Sequence, residues 1–179
     1  MHATDMVSST DTDPATIQYR VSHCSLGAVA IAATAQGVCA ILFGDDAAAL
    51  ENDLNARFPA SRLTPGDAAF DGLADQAIRF IDDPEGSVDF PLDPHGTDFQ
   101  QRVWQALREI APGTTASYKE VAMRIGAPKA VRAIARACAA NPIAIAIPCH
   151  RVVRSDGSMS GYRWGTARKR TLLDREAQS

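Results

Sequence analysis

Few cysteines occur in this sequence, and none lies in a pattern typical of a secreted or metal-binding protein. The four, Cys24, Cys39, Cys138 and Cys149, form no CxxC pair and no paired framework. We therefore expect reduced thiols in a cytoplasmic protein. His23 precedes Cys24, but no second pair of ligands has the spacing of a zinc site. The sequence thus predicts neither a metal nor a cofactor.

A targeting signal and long apolar runs are also missing. The N-terminal residues do not pass from charged to apolar to small, which is the order of a secretory signal. No apolar run reaches the about 20 residues that a membrane-spanning helix needs. We expect no membrane partner, and 179 residues suffice for one compact domain or two small ones.

The net charge of -3 conceals an excess of acid in one half of the chain and of base in the other. Residues 1–98 hold 4 Lys/Arg against 16 Asp/Glu, whereas residues 99–179 hold 14 against 5. A basic half of this kind favours contact with a polyanion such as nucleic acid, although a basic face is in other proteins merely solvated.

The N-terminal half predicts a tail followed by a small lobe. Residues 1–16 are polar, lack apolar periodicity and indicate a flexible tail. Residues 17–90 predict an α/β lobe in which no residue carries chemistry. We expect the strands of an antiparallel meander at 17–22, 27–35 and 37–43, followed by helices at 45–58 and 67–81.

Residues 91–179 predict a second lobe made mainly of helices. Thr97 and Ser117 each open a capping box, the pattern that starts a helix. The second of these helices ends near Gly126, and a further helix is predicted over 128–140. The pair is typical of a helix-turn-helix, a motif that binds DNA in some proteins and is plain scaffolding in others.

The helix at 128–140 presents basic side chains among small ones. Arg132 and Arg136 lie one helical turn apart, and the alanines between them would let a duplex approach closely. Lys129 is expected to contact a phosphate. The opposite, buried stripe is predicted to consist of Val131, Ile134 and Cys138. The alternative is a packing helix with two exposed arginines and no ligand.

Cys149 is the candidate nucleophile, within the run Ile147-Pro148-Cys149-His150-Arg151-Val152-Val153. A cysteine attacks as the thiolate, and a neighbouring His or Arg lowers its pKa. The alternative is a buried core cysteine beside a histidine by chance. A loop punctuated by glycines follows at 154–165 and offers the hydroxyl and ring of Tyr162 to a flat pocket. The last helix, at 166–177, is predicted to turn Leu172, Leu173 and Glu176 inward.

Together these residues resemble a known family, the O6-alkylguanine-DNA alkyltransferases, over residues 17–179. Segments 37–46 and 160–165 further resemble the C-terminal half of the bacterial Ada branch of that family. The resemblance is carried by the run around Cys149 and by Ser117-Tyr118, Pro128-Lys129-Ala130-Val131-Arg132-Ala133, Asn141-Pro142, Ser160-Gly161-Tyr162, and Leu172-Leu173 with Glu176.

The resemblance implies an α+β fold with a small antiparallel-sheet, RNase H-like N-terminal lobe and a C-terminal helical lobe that carries the helix-turn-helix. It also implies direct-reversal DNA repair, in which an alkyl group moves irreversibly from O6 of guanine, or from O4 of thymine, to Cys149. Each molecule acts once. The implied partner is double-stranded DNA containing O6-alkylguanine, bound by a cytoplasmic monomer without a cofactor.

Residue roles follow from the same resemblance. Cys149 is the acceptor, His150 takes its proton through a water, Glu176 orients and charges His150, and Asn141 braces the adjoining turn. For the substrate, Tyr118 rotates the 3′ phosphate, Arg132 fills the space of the extruded base, and Tyr162 with the backbone at Arg163 reads the guanine. Met159 and Ser160 are implied to line the pocket, and Ser117, Lys129, Ala133 and Arg136 to contact DNA.

Three other functions remain open at this point. A non-enzymatic binder of alkylated DNA would share the fold, but such relatives replace the cysteine. A cysteine hydrolase would use Cys149, His150 and Glu176, although its partners are normally distant in the chain. A transcription factor would use the helix-turn-helix to read base edges. The sequence leaves open the preferred alkyl size and whether the chain is whole or a domain of a larger Ada-type regulator.

Overall fold

The N-terminal part of the chain folds as a four-stranded sheet. The computed structural model describes residues 15–83 and 87–178, so the predicted tail lies outside the described residues up to position 14. The strands are β1 (Thr16–Cys24), β2 (Gly27–Ala33), β3 (Val38–Gly44) and β4 (Arg62–Pro65), in the order β3-β2-β1-β4. The predicted antiparallel meander of the first three is confirmed. The parallel strand β4 is not predicted, because four residues ending in proline carry no periodic signal.

Two helices pack against this sheet, α1 (Ala47–Arg57) and α2 (Ala68–Asp82). Both begin where the sequence predicts. The carboxylates of Asp46 and Asp67 accept hydrogen bonds from the first-turn amides, which helix N-termini leave unsatisfied. Their buried stripes consist of Leu50 and Leu54 in α1 and of Phe70, Ala74, Ala77 and Ile81 in α2.

The C-terminal part is helical, with α3 (Asp98–Arg108), α4 (Tyr118–Arg124), α5 (Val131–Ala139) and α6 (Thr166–Ala177). Both predicted capping boxes are present, at the starts of α3 and α4. Gly126 follows α4 with a φ of 74°, a left-handed conformation that suits glycine after a helix. None of the helices in the described parts of the chain is long and apolar enough to cross a membrane.

The helix-turn-helix pair of α4 and α5 is confirmed, but two details of α5 are wrong in the prediction. The helix begins at Val131 rather than at Pro128, because residues 128–130 continue the turn. Val131 therefore lies at the exposed start of the helix with 37% of its surface accessible, and not in the buried stripe. Ile134, Ala137 and Cys138 form that stripe.

A second, very small sheet joins the parts of the C-terminal half that carry the candidate residues. β5 (Ala116–Ser117) pairs in parallel with β6 (Val152–Val153). Tyr118 follows β5 directly, and the single 3-10 turn Cys149–Arg151 precedes β6 directly. The pairing therefore brings the start of the helix-turn-helix beside the candidate nucleophile. Two-residue strands lie below what residue patterns can detect.

The two halves are joined along the edge of the large sheet. β3 is an edge strand, yet almost all of it is buried. Its Ile41 donates to the carbonyl of Pro142 and accepts from the amide of Ala144, both at 3.0 Å. The segment that follows α5 thus pairs with β3 as a short extra strand. Because such contacts cross position 90, the boundary between the two lobes stays a prediction.

Trp104 connects α3 to α5. It is 2% exposed, and its indole N–H donates to the carbonyl of Ala137 at 2.9 Å, one of the terminal carbonyls that a helix leaves unsatisfied. Trp104→Phe leaves that buried carbonyl unpaired, so we expect a loss of about 1–3 kcal/mol in the free energy of unfolding beyond the packing cost.

Urea denaturation measures this loss, with Trp164→Phe as the matched control. Trp164 is also buried, at 5% exposure, but its indole N–H has no partner among the described residues. Equal losses in the two variants would contradict the role given to the hydrogen bond of Trp104.

Candidate active site

The chain between α5 and Cys149 makes two tight turns. Ile145 has a φ of 69°, and the amide of Ala146 donates to the carbonyl of Ala144 at 2.8 Å, which is a γ-turn with a left-handed centre. A β-branched residue rarely adopts this conformation, so it indicates a locally strained segment. At Pro148 the opposite γ-turn follows, with φ -82° and ψ 62°, and the amide of Cys149 donates to the carbonyl of Ile147 at 2.8 Å.

Asn141 holds these turns together from inside. Its side chain is fully buried, and its Oδ1 accepts from the amide of Ile143 at 2.9 Å. Its Nδ2 donates to the carbonyl of Ile147 at 2.8 Å and to Sγ of Cys149 at 3.2 Å. One amide group therefore spans the loop from end to end and reaches the thiol, consistent with the bracing role that the resemblance implies.

Cys149 is 5% exposed. Burial raises the pKa of its thiol to about 11, while the hydrogen bond from Asn141 and the positive charge of Lys169 act in the opposite direction. Burial penalises an isolated thiolate. Burial has a smaller cost when the thiol proton moves to a neighbouring group in the site, because the net charge of the site then stays the same.

His150 is the proton acceptor that such a transfer requires. It is fully buried, and its Nε2 lies 2.7 Å from Oε1 of Glu176. A neutral imidazole that donates from Nε2 accepts at Nδ1. Nδ1 of His150 is buried and has no hydrogen-bond partner among the described residues. It is therefore the atom at which His150 can receive a proton.

Glu176 is shared between His150 and Arg151. The Arg151 guanidinium donates through Nε to Oε2 at 3.0 Å and through Nη2 to Oε1 at 2.8 Å, a two-point ion pair, and through Nη1 to the carbonyl of Ile110 at 2.6 Å. Burial opposes ionisation of Glu176, but the hydrogen bonds from His150 and Arg151 outweigh it and lower its pKa to about 2. Glu176 is thus a carboxylate at any physiological pH.

The pKa of His150 is lowered, because burial outweighs the opposing influence of Glu176. The imidazole is therefore neutral until a proton reaches it. The carboxylate of Glu176 then faces the imidazolium directly, which stabilises the charge that burial alone disfavours. The predicted role of Glu176, to favour the charged form of His150, therefore applies after His150 has taken up a proton.

A cavity of about 280 Å³ opens beside Cys149. It contains four of the predicted site residues and lies between the helix-turn-helix and the loop before α6. Its walls are Tyr118, Ala135, Cys138, Ala139, Cys149, Gly161, Tyr162 and Arg163. The mixture of small and aromatic walls suits a flat ligand of about the size of a nucleobase.

Tyr162 presents an unsatisfied hydroxyl at this cavity. The hydroxyl is buried and has no hydrogen-bond partner among the described residues. Burial raises the pKa of Tyr162 well above its usual value, so the group is a neutral donor. The edge of its ring packs against Trp164, with centroids 5.3 Å apart, which fixes the plane of the ring. A buried orphan hydroxyl beside the acceptor thiol indicates a polar ligand in this pocket.

Tyr118 lies on the other side of the cavity and is held by Ser160. The two hydroxyl oxygens are 2.7 Å apart. Ser160 also accepts from Nζ of Lys169 at 2.9 Å, and Lys169 is completely buried. The loop before α6 is therefore fastened both to α4 and to α6, which keeps the pocket open at a defined width.

The two residues expected to line the pocket, Met159 and Ser160, are not among those that line the cavity of Cys149; Ser160 lies behind it, bonded to Tyr118 and Lys169. Met159 does not line the cavity of Cys149; it lines a separate one with Val153 and Leu173, because the loop turns away before Ser160. Arg163, of which only the backbone was expected at the base, lines the cavity, and its guanidinium pairs with Asp53 of the N-terminal half at 3.1 Å.

The predicted DNA contacts lie on the surface of the helix-turn-helix. Arg132, Arg136 and Lys129 are exposed, and no hydrogen bond or ion pair engages their side chains within the described residues. Ala133 is half-buried between them. The Ser117 hydroxyl is occupied as the cap of α4, where it accepts from the amide of Glu120 at 3.0 Å.

Sequence reasoning missed two functional side chains, Arg151 and Lys169. Arg151 enters there only as a cation near the thiol, and Lys169 is assigned no role. One signal for Arg151 was available, since an arginine followed by two valines in a buried strand needs a carboxylate partner. Residues 15–83 and 87–178 contain no group of three or more His, Cys, Asp or Glu side chains placed to hold a metal ion.

The ion pair of Glu176 predicts a specific dependence of stability on pH. Its folded-state pKa of about 2 lies below the ordinary value of 4.5, so the stabilisation is present above about pH 4.5 and is lost as the pH falls towards 2. Between pH 6 and pH 3 we expect Glu176 to cost the wild type about 2 kcal/mol of unfolding free energy.

Urea denaturation at the two pH values checks this, with Glu176→Gln lacking that component of the loss. Asp75→Asn is the matched control, because its carboxylate forms only the half-exposed pair with Arg20. An equal pH-dependent loss in wild type and Glu176→Gln would count against the ion pair.

Known proteins share both the sequence and the fold described above. The model of the 6-O-methylguanine DNA methyltransferase DNA-binding domain matches residues 98–178. The bifunctional transcriptional activator and DNA repair enzyme Ada of Escherichia coli is 50% identical over 163 residues, which are 91% of this chain and 46% of that protein. The methylated-DNA--protein-cysteine methyltransferase of Mycobacterium bovis is 50% identical over 113 residues, 63% of this chain and 68% of that protein.

Solved structures agree with the sequence relatives. The Mycobacterium tuberculosis O6-methylguanine methyltransferase superposes with a TM-score of 0.72 at 36% identity, over 90% of this chain and 93% of that one. The Mycobacterium tuberculosis OGT in complex with DNA gives 0.73 at 37% identity with the same coverage. The chain spans about half the length of the Ada proteins that it matches. By its identity to relatives that it covers over two thirds or more of their length, this chain belongs to the methylated-DNA--protein-cysteine methyltransferase family.

Proposed function

We propose that this chain repairs DNA by direct reversal. It transfers a methyl or larger alkyl group from O6 of guanine, and from O4 of thymine, to Sγ of Cys149. The observation that carries the proposal is the placement of a buried thiol, next in sequence to a buried histidine that is paired with a carboxylate, at a base-sized cavity beside a basic helix-turn-helix. The thioether that forms is stable, so each molecule acts once.

The alkylated atom is hidden inside a duplex, so the base must leave the stack to reach Cys149, at a cost of a few kcal/mol. The exposed face of α5 supplies what this step needs. Ala135 and Ala139 are small and lie at the cavity, while the unpaired Arg132 is free to occupy the vacated space. Small residues with one inserted side chain suit binding in the minor groove. Tyr118, at the first turn of α4, is proposed to displace the 3′ phosphate.

Proton transfer begins at Cys149. The thiol proton passes to Nδ1 of His150, directly or through one water, and the resulting imidazolium faces Glu176 across 2.7 Å. Arg151 holds Glu176 in place through the two-point ion pair, so the carboxylate cannot rotate away. The hydrogen bond from Asn141 remains on the sulfur and stabilises the thiolate.

The chemical step is an in-line displacement at the alkyl carbon. A bond forms between Sγ of Cys149 and that carbon while the bond from the carbon to O6 breaks, and its electrons leave with the guanine. The hydroxyl of Tyr162, which has no other partner among the described residues, donates to the guanine as negative charge develops. Tyr162 passes its proton to the base, and the proton that left Cys149 for His150 returns to Tyr162, so that neutral guanine leaves and the site is again in its starting charge state.

We propose duplex DNA containing O6-alkylguanine as the partner, bound by a monomer in the cytoplasm. Arg132, Arg136 and Lys129 form a cationic surface whose charges are not used inside the protein. Lesions occur at any sequence, so contacts to phosphates and groove shape suffice for binding. All four cysteines are free thiols in the structure. A reducing compartment such as the cytoplasm would keep the acceptor cysteine in that state.

Mass spectrometry after mixing with a duplex that contains O6-methylguanine tests the proposal. We expect one methyl per protein, located on the peptide with Cys149, and an equimolar loss of O6-methylguanine from the DNA. Cys149→Ala abolishes the transfer, whereas Cys24→Ala, which removes a half-buried thiol in the N-terminal half, leaves it intact.

Three outcomes would point elsewhere. Methyl transfer that persists in Cys149→Ala overturns the acceptor assignment. Tight binding of the methylated duplex with no loss of methyl indicates a recognition protein. Repeated turnover of a thioester or peptide substrate indicates a cysteine hydrolase.

A further inference from the structure

Lys169 on α6 is a buried cation that has no acidic partner among the described residues. It is completely buried, and Nζ contacts the carbonyl of Val152 at 2.7 Å, Oγ of Ser160 at 2.9 Å and the carbonyl of Gly161 at 3.4 Å. All three acceptors are uncharged. A buried ammonium that lacks a counter-charge is unfavourable, so its presence calls for a physical reason.

The charges buried around Cys149 do not balance. The buried polar residues among those described are Asn141, His150, Arg151, Ser160, Lys169 and Glu176. Arg151 and Glu176 neutralise each other as an ion pair. With a neutral imidazole and a thiol, the site therefore carries one excess positive charge, on Lys169. An ionised Cys149 would place a negative charge opposite Lys169, and once its proton has left the site the excess would be removed.

We propose that Lys169 is a positioning residue whose buried charge acts as the counter-charge of the Cys149 thiolate. The inference deepens the alkyl-transfer function proposed above and rests on it for its biological meaning. Lys169 does not touch the reacting atoms. Its ammonium is hydrogen-bonded to the carbonyl of Val152, three residues beyond Cys149, and to Ser160 and Gly161, the second of which lines the cavity of Cys149, so it is held close to the site.

Interactions within the site support this pairing. The charge of Lys169 lowers the pKa of Cys149 against the effect of burial, and burial lowers the pKa of Lys169 while the Cys149 and Cys138 thiolates would raise it. Two unit charges several ångströms apart in a partly buried site shift each other's pKa by about one unit or more. The other titratable groups facing the thiol are His150 on its own turn, Cys138 on α5, Tyr118 on α4 and Tyr162 in the loop at 154–165, called the pocket loop below.

A purely structural role for Lys169 is the alternative. The same ammonium ties Ser160 and Gly161, in the pocket loop, to Val152 in β6. A simple tether would change the shape of the pocket when it is removed, but it would not change the ionisation of Cys149 in a charge-dependent way. The two roles are separable by variants that keep either the charge or the tether.

The test measures the ionisation of Cys149 without DNA. Methyl methanethiolsulfonate is a small reagent; the thiolate attacks its sulfur, a disulfide to a methylthio group forms, and methanesulfinate leaves. The rate of modification of the Cys149 peptide is followed by mass spectrometry from pH 7 to pH 12, a range that extends beyond the pKa of about 11, in the full chain. Lys169→Met and Lys169→Gln remove the positive charge, and Lys169→Arg keeps it. Ser160→Ala removes one hydrogen bond of Lys169 and leaves its charge in place.

We expect the two neutral variants to raise the apparent pKa of Cys149 by about one unit. Below that pKa they react about three- to fourfold more slowly, because the smaller thiolate fraction is partly offset by higher nucleophilicity. Lys169→Arg and Ser160→Ala are expected to keep an apparent pKa close to that of the wild type. Thermal unfolding identifies which neutral variant remains folded, and either one decides the question.

Two results would overturn the proposal: an unchanged apparent pKa in a folded neutral variant, or a shift in Ser160→Ala as large as that in the neutral variants. Methyl transfer from the O6-methylguanine duplex is measured in parallel. If wild type takes no methyl from DNA, the proposed function fails, while the thiol titration still reports on Lys169. If wild type takes the methyl and the neutral variants titrate normally, only the inference about Lys169 fails.

Discussion

The hydrogen bonds of one buried amide, the side chain of Asn141, fix the segment on which the site depends. This segment follows α5, the second helix of the helix-turn-helix, and pairs with the edge of the large sheet at Ile41. It then reaches Cys149 through two γ-turns. The amide bonds to both ends of it and to the sulfur. The large sheet, α5 and the Cys149 thiol are therefore coupled through a few backbone atoms. The left-handed Ile145 persists only because these contacts over-determine it.

A few buried side chains also determine the charge of the site. Glu176 is kept ionised by Arg151 and faces His150, so the imidazole can take a proton in an interior that otherwise disfavours charge. Lys169 adds a cation behind the pocket loop, and Asn141 adds a neutral donor to the sulfur. The thiol is almost completely shielded from solvent. Burial shields Cys149 from solvent, and the cavity beside it has the volume and the unsatisfied donor that the proposed function requires.

The sequence predicted the elements that carry local signals. Three strands, both capping boxes and the helix-turn-helix are found where turn residues, caps and apolar periods place them. The start of α5 was misplaced, because Pro128 suits a first helical turn and a loop equally well. β4 to β6 are too short for a period. The resemblance placed Cys149, His150 and Glu176 in one cluster, and in the structure Glu176 bonds to the His150 that follows Cys149. The positions of Arg151 and Lys169 depend on long-range packing that no residue spacing encodes.

The role of Asn141 is tested most directly by titrating Cys149 in the free protein, through the chemical shift of its ¹³C-labelled β-carbon, in wild type and in folded Asn141→Ala. The amide donates to the sulfur and favours its charged form. The account predicts that its removal raises the apparent pKa of Cys149 by about one unit. An apparent pKa that is the same in both proteins would contradict it.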